Sequence, residues 1–212
     1  MARRKQKRAR ERAGETRLLQ LRLEQLELAS AHDGAFRGAP EPLVMIGVYR
    51  VGGASMTLVD RHLQRAVPIA PYPAIVELGE SMEVRIPRVE GMKIVVLGLA
   101  LEEDGGGGVA HLFGQLGAPD RLALWPTEEV EPDPVSLADW ALRDPIPAPA
   151  SATVHVLDDG KDLRDAVLGD DWIGGSVFHL PDRRANVSGR RLRFRSADGK
   201  NDWTLVLRVR VV

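Results

Sequence analysis

Two hydrophobic grammars run along the chain. In residues 3–30 good helix formers predominate, Pro is absent, and Leu19, Leu23 and Leu26 recur at i, i+4 and i+7. That spacing predicts a helix over 3–30, with Leu18, Leu21 and Leu28 widening its apolar arc. From Leu43 onward the pattern shortens. LVMIGVYRV (43–51), MTLVD (56–60), MEVRIP (82–87), KIVVLGLAL (93–101), TVHVL (153–157), IGGSVFHL (173–180), RLRFRS (191–196) and WTLVLRVRV (203–211) are β-branched, turn-bounded runs that predict strands. Within this part only VAHLFGQL (109–116) and VSLADWAL (135–142) read as helical.

No regular alternation of strand and helix appears, which argues against a doubly wound parallel sheet. About eight strands over some 170 residues point to an all-β, antiparallel sandwich or barrel. The chain therefore divides into a basic helical arm at 1–35, a Gly- and Pro-containing linker at 36–42, and a β-sandwich at 43–212. Pro126, Pro132, Pro134, Pro145, Pro147 and Pro149 cannot donate to a sheet ladder, so 126–151 is expected as a loop insertion outside the sheets.

Composition then narrows the function. Cysteine is absent, which removes disulfides, thiolate catalysis and Cys-bound zinc and makes a reducing cytoplasm the natural setting. No apolar run reaches the ~18–20 residues of a membrane-spanning helix, and the basic N-terminus leads into no signal-peptide core. The formal net charge of −1 conceals a segregation: residues 1–12 carry net +6, residues 13–182 net −14, and residues 183–212 net +7. Local charge decides what a surface attracts. Two basic ends flank an acidic middle.

The acidic middle holds one run with chemical character. A strand ends at Asp158-Asp159, carboxylates crowd the loop that follows, and the chain re-enters a strand through Asp171-Trp172-Ile173-Gly174. Carboxylates gathered on one loop suit a hard cation such as Ca²⁺, which takes oxygen ligands in tolerant geometry. The run Val156-Leu157-Asp158, a polar loop, then Gly169-Asp170-Asp171-Trp172-Ile173-Gly174 and a strand to Pro181-Asp182 resembles the third calcium loop of C2 domains. Trp203–Val211 is similar to the closing strand of that family. The resemblance covers the C-terminal third of the chain. It implies a C2-like antiparallel sandwich that docks on anionic membranes or protein partners. By position Asp158 and Asp171 match loop carboxylates; Gly160 stands at the second Asp of Asp-x-Asp, leaving Asp159 as its substitute. No Ser-Asp-Pro-Tyr-Val stretch follows a first calcium loop.

The basic ends supply contact surfaces. Arg191, Arg193 and Arg195 share one strand face, and Arg208 and Arg210 alternate with apolar residues after the 197–200 turn. If the hairpin aligns them, five arginines face an anionic lipid or another polyanion. The arm with Arg3, Arg4, Lys5, Lys7 and Arg8 is the second such surface, suited to anionic lipid or to nonspecific nucleic acid binding. The leucines of 15–30 offer a self-association face, as a structural subunit of a larger assembly would need. Enzyme signatures are missing. Gly105–Gly108 precede no Gly-Lys-Ser/Thr, Ser176 and Ser188 lack a nucleophile elbow, and the five histidines show no metal spacing, though His155 and His179 fall in strands that could be neighbours. The expectation is a non-enzymatic docking module, with Ca²⁺ at Asp158, Asp159 and Asp171 as its one cofactor.

Overall fold

The computed structural model describes residues 16–30, 41–67, 72–87, 91–103, 108–126, 135–143, 152–158, 161–162, 171–180, 186–196 and 198–212. In chain order the elements are β1 (Thr16–Ser30), β2 (Pro42–Gly52), β3 (Ser55–Arg65), β4 (Ala74–Pro87), β5 (Lys93–Glu102), α1 (Gly108–Gln115), β6 (Leu122–Pro126), β7 (Val135–Ser136), α2 (Leu137–Leu142), β8 (Ala152–Asp158), β9 (Lys161–Asp162), β10 (Asp171–Leu180), β11 (Asn186–Arg195) and β12 (Asp202–Val211). The all-β expectation holds. Eight strands form two four-stranded antiparallel sheets, β11-β12-β1-β4 and β10-β5-β2-β3, and β7-β6-β8-β9 make a small third sheet.

Residues 16–30 are a strand, which corrects the helical expectation; residues 3–15 lie outside the described residues. Leu19, Leu21 and Leu23 alternate inward, and Leu26 and Leu28 resume the alternation one residue out of phase. The phase change is a β-bulge at Glu24: Leu23 pairs with Leu207 and Gln25 with Val206, leaving Glu24 unopposed. A bulge converts a spacing of two into an apparent spacing of three to four, which is how a strand imitates helical periodicity. Tertiary pairing decides the outcome. β1 is hydrogen-bonded on both edges, to β12 and to β4, and each of its five buried leucines contributes about 1.5–3 kcal/mol by leaving water. The same burial removes these leucines as a self-association face.

The first two sheets pack through one core, in which those leucines and Leu192, Phe194, Trp203 and Leu205 meet Val44, Ile46, Val96 and Phe178. A second core lies on the far side of the second sheet. There Leu43, Met45, Tyr49, Leu97 and Leu99 pack against Leu112 and Leu116 of the α1 region, Leu122 of β6, and Leu137 and Trp140 of α2. β2 and β5 are thus buried on both faces, and their sequences read as unbroken apolar runs for that reason. Both helical expectations near 109–116 and 135–142 are met. Two others are corrected. TVHVL (153–157) is a strand, but it pairs with β6 in the third sheet, outside the two large ones. The Pro-rich segment also reaches a sheet, since Val135 and Ser136 pair with Leu124 and Ala123.

Candidate functional site

Antiparallel pairing puts directly opposed residues on the same sheet face. Arg191 stands opposite Val206, Arg193 opposite Thr204 and Arg195 opposite Asp202, so the β11 arginines share a face with the even-numbered residues of β12, Arg208 and Arg210 among them. The odd-numbered residues of β12, with Leu192 and Phe194, fill the core beneath. All five arginines therefore lie on the exposed outer face of the first sheet. β1 adds Arg22, which the helical reading concealed and which stands opposite Arg208; β4 adds Arg85, opposite Leu18. The alternation of Leu19, Leu21 and Leu23 was the signal that could have found Arg22.

Carboxylates interleave with these cations. Arg191 forms a two-pronged bond to Glu27, its Nη1 donating to Oε1 at 3.0 Å. Arg193 donates from Nε to Asp202 Oδ1 at 2.9 Å, and Arg208 reaches Glu24 at 2.7 Å. Hydrogen bonding to Arg191 holds the Glu27 carboxyl below its ordinary range, and Arg193 does the same for Asp202. Each arginine of these two pairs is stabilised in its charged form in return. Such exposed pairs are screened by water and add little to folding. For binding they matter more, because a paired guanidinium presents less net charge to a polyanion. Arg22, Arg85 and Arg210 have no ion pair among the described residues.

The last strand of the fold ends beside the first. Leu18 and Val212 exchange backbone hydrogen bonds of 3.1 and 2.9 Å, so β12 finishes beside the start of β1. The arm at 1–12, with Arg3, Arg4, Lys5, Lys7 and Arg8, lies outside the described residues. Arg210, Arg85 and Arg22 surround the corner. An open depression of about 580 Å³ beside it is lined by Arg17, Leu18, Glu83, Arg85 and Val212.

The backbone of Asp171 falls at the other end of the main-sheet strands. Asp158 closes β8, its backbone paired with Lys161; Asp159 lies outside the described residues; Asp171 opens β10, and its backbone stands opposite Glu102. The side chains of Asp158 and Asp171 are also outside the described set. Glu102 is 1% exposed, a carboxylate held at the mouth of the second sheet. Among the described residues no group of three or more His, Asp or Glu is placed to hold a metal ion, and no helix is long and apolar enough to cross a membrane.

His179 and His155 are not ladder neighbours, since β10 pairs with β5 and β8 pairs with β6 and β9. The His179 Nδ1 is buried with no hydrogen-bond partner among the described residues, and burial, then the charges of Arg190 and Lys93, hold its imidazole below the ordinary value. Compared with known proteins, the sequence matches no family model, and no curated protein matches it.

Proposed function

We propose that the chain is a non-enzymatic recruitment module, a C2-like β-sandwich drawn to an anionic membrane surface by the arginines of its first sheet. One observation carries the reading: the β11–β12 register gathers Arg191, Arg193, Arg195, Arg208 and Arg210 on one exposed face. The division of eight long antiparallel strands into two packed sheets supports the C2-like part, as does the run from Asp158 to Gly174. Each basic residue near an anionic bilayer contributes on the order of 1 kcal/mol, so a handful suffices for salt-sensitive recruitment. Co-sedimentation with vesicles of phosphatidylserine in phosphatidylcholine, against phosphatidylcholine alone, tests it. Binding confined to the anionic vesicles and weakened by salt is expected; no binding to either sinks the membrane reading.

A second reading is favoured by the register at the opposite end. The backbone of Asp171 pairs with that of Glu102, which also pairs with Pro42 at the start of β2, so a residue of the C2-like run enters the ladder opposite a buried carboxylate residue. In that reading Asp158, Asp159 and Asp171 bind Ca²⁺ and the ion assists docking. A rise in thermal midpoint on adding calcium, abolished in Asp171→Asn, is the expected result; an unchanged midpoint removes it.

A further inference from the structure

The arginine face is part of a larger basic surface. Two short links, 88–92 between β4 and β5 and 181–185 between β10 and β11, tie the main sheets together at the end where β1 begins. Five intervening residues cannot carry the chain to the far end of a strand of ten or more. So Arg85, Arg208 and Arg210 of the first sheet share one end of the molecule with Arg50 and Lys93 of the second. Arg190 joins them, its guanidinium 5.8 Å from the centre of the Phe178 ring on β10. Two described carboxylates lie among them: Glu83, bound by Gln20 at 2.8 Å, and Glu24, paired with Arg208 at 2.7 Å. The opposite end carries Glu41, Glu102, Glu103 and the start of β10 at Asp171.

We infer that the basic end is the docking pole, and that it seats end-on against a bilayer containing anionic phospholipid with the acidic end turned away. The inference rests on the recruitment reading above and moves the contact from Arg191, Arg193 and Arg195 to Arg50 and Arg85, with Arg210 common to both. Arg191 and Arg193 already spend much of their charge on Glu27 and Asp202, whereas Arg50, Arg85 and Arg210 are exposed and form no ion pair among the described residues. Cations from both sheets meet a plane only if the strand ends approach it; docking by the flat of the first sheet leaves Arg50 and Lys93 out. Val212, 56% exposed, lies at the same end and offers an apolar contact. A bilayer fits better than nucleic acid because the exposed large hydrophobics among the described residues include no aromatic to stack on a base.

The full chain is tested with vesicles of phosphatidylserine in phosphatidylcholine, without calcium. The triple variant Arg50→Gln, Arg85→Gln, Arg210→Gln is expected to lose about a hundredfold in apparent affinity. Arg191→Gln, Arg193→Gln, Arg195→Gln is expected to lose less than about threefold. The Arg→Lys version of the first triple should keep both binding and thermal midpoint, which separates lost charge from lost fold. A larger loss in the second triple than in the first overturns the end-on assignment and leaves recruitment intact. Absence of native binding to these vesicles overturns both. Binding that requires calcium, or tight salt-sensitive binding of duplex DNA with none to vesicles, overturns the pole as a bilayer contact.

Discussion

Gly98 lies midway along β5 on the face turned toward the first sheet, and the space above it belongs to side chains from across the core. A Cβ built there would sit 2.8 Å from Leu192 Cδ1 and 3.0 Å from Phe194 Cζ. Two rings of packing cannot yield together in a close-packed interior. Gly98→Ala is therefore expected to cost about 1–3 kcal/mol in urea unfolding, and Leu192→Ala should recover part of that loss in the same chain. A neutral Gly98→Ala would show the sheets to be looser than described. A second residue-scale consequence concerns pH. The unfolded chain takes up a proton on His179 near its ordinary value of 6.5, while the folded imidazole, buried and facing Arg190 and Lys93, stays neutral to lower pH. More protons bound in the unfolded state below that value mean stability falls as pH drops from about 6.5 and levels off once the folded ring is protonated. His179→Gln should flatten the stability profile below about pH 6.5. The carboxylates act in a separate window. Hydrogen bonds from the Ser196 hydroxyl and the Lys200 backbone N–H, then the Lys200 ammonium, hold Asp198 down at about 2. Its contribution is complete above the ordinary value of 3.8 and is lost as pH falls through about 2.

At the scale of elements, β1 decides how the N-terminal third is understood. Because it lies between β12 and β4, removing residues 1–30 opens the first sheet down its middle, and no cooperative unfolding transition should remain. Removing residues 1–15 spares every described hydrogen bond of the strand and should leave the thermal midpoint close to that of the full chain. Circular dichroism of the two truncations distinguishes a central strand from a detachable helical arm, for which both would fold. Deleting Glu24 alone makes a sharper test. It erases the bulge and forces Leu26 and Leu28 outward or the pairing out of register, an unfolding lesion. Glu24→Ala keeps the bulge and loses only the pair to Arg208, at less than about 1 kcal/mol. This element also shows what sequence alone could reveal. Strands whose alternation runs unbroken, such as Leu205-Val206-Leu207-Arg208-Val209-Arg210, were legible because period two has no competing reading. β1 was not, because one inserted residue scrambles the period while Leu, Glu and Gln favour a helix locally. The arginines of β11 and β12 were legible as a face for the same reason; Arg22 disappeared with the misread strand, and Arg85, on a strand the pattern did show, joins that face only through the β1–β4 pairing. The acidic loop was legible as composition, whereas the register of Asp171 against Glu102 depends on long-range pairing that no local pattern encodes.

The molecule as a whole has three layers, and the third explains a chain longer than its two large sheets require. The span between β5 and β10 folds back so that α1, α2 and β6 cover the outer face of the second sheet. Its attachments are specific. The Tyr49 hydroxyl donates to the Leu116 carbonyl at 2.9 Å, and the Tyr49 ring occupies the space left by Gly47, where a Cβ would approach within 2.9 Å. Arg61 donates to the Phe113 carbonyl with its guanidinium 4.2 Å from the centre of that residue's ring. Lys93 donates to the Arg143 carbonyl at 2.9 Å, just beyond α2. Sequence pattern marked the Pro-rich part of this span as a loop outside the sheets; its short helix is there, but the span serves as a lid on a hydrophobic sheet. The geometry permits a direct test, because Glu102 and Asp171 are paired on adjacent strands and a tight turn could join them without straining either. Replacing 104–170 by such a turn leaves the first core whole and exposes Leu43, Met45, Leu97 and Leu99 together. A contiguous apolar face of that kind drives association. The shortened chain is expected to aggregate or to bind a hydrophobic dye strongly at low concentration. Tyr49→Phe in the full chain, which removes one attachment, should cost only about 0.5–1.5 kcal/mol. A shortened chain that stays monomeric and unfolds cooperatively would show that the two-sheet sandwich stands without its third layer.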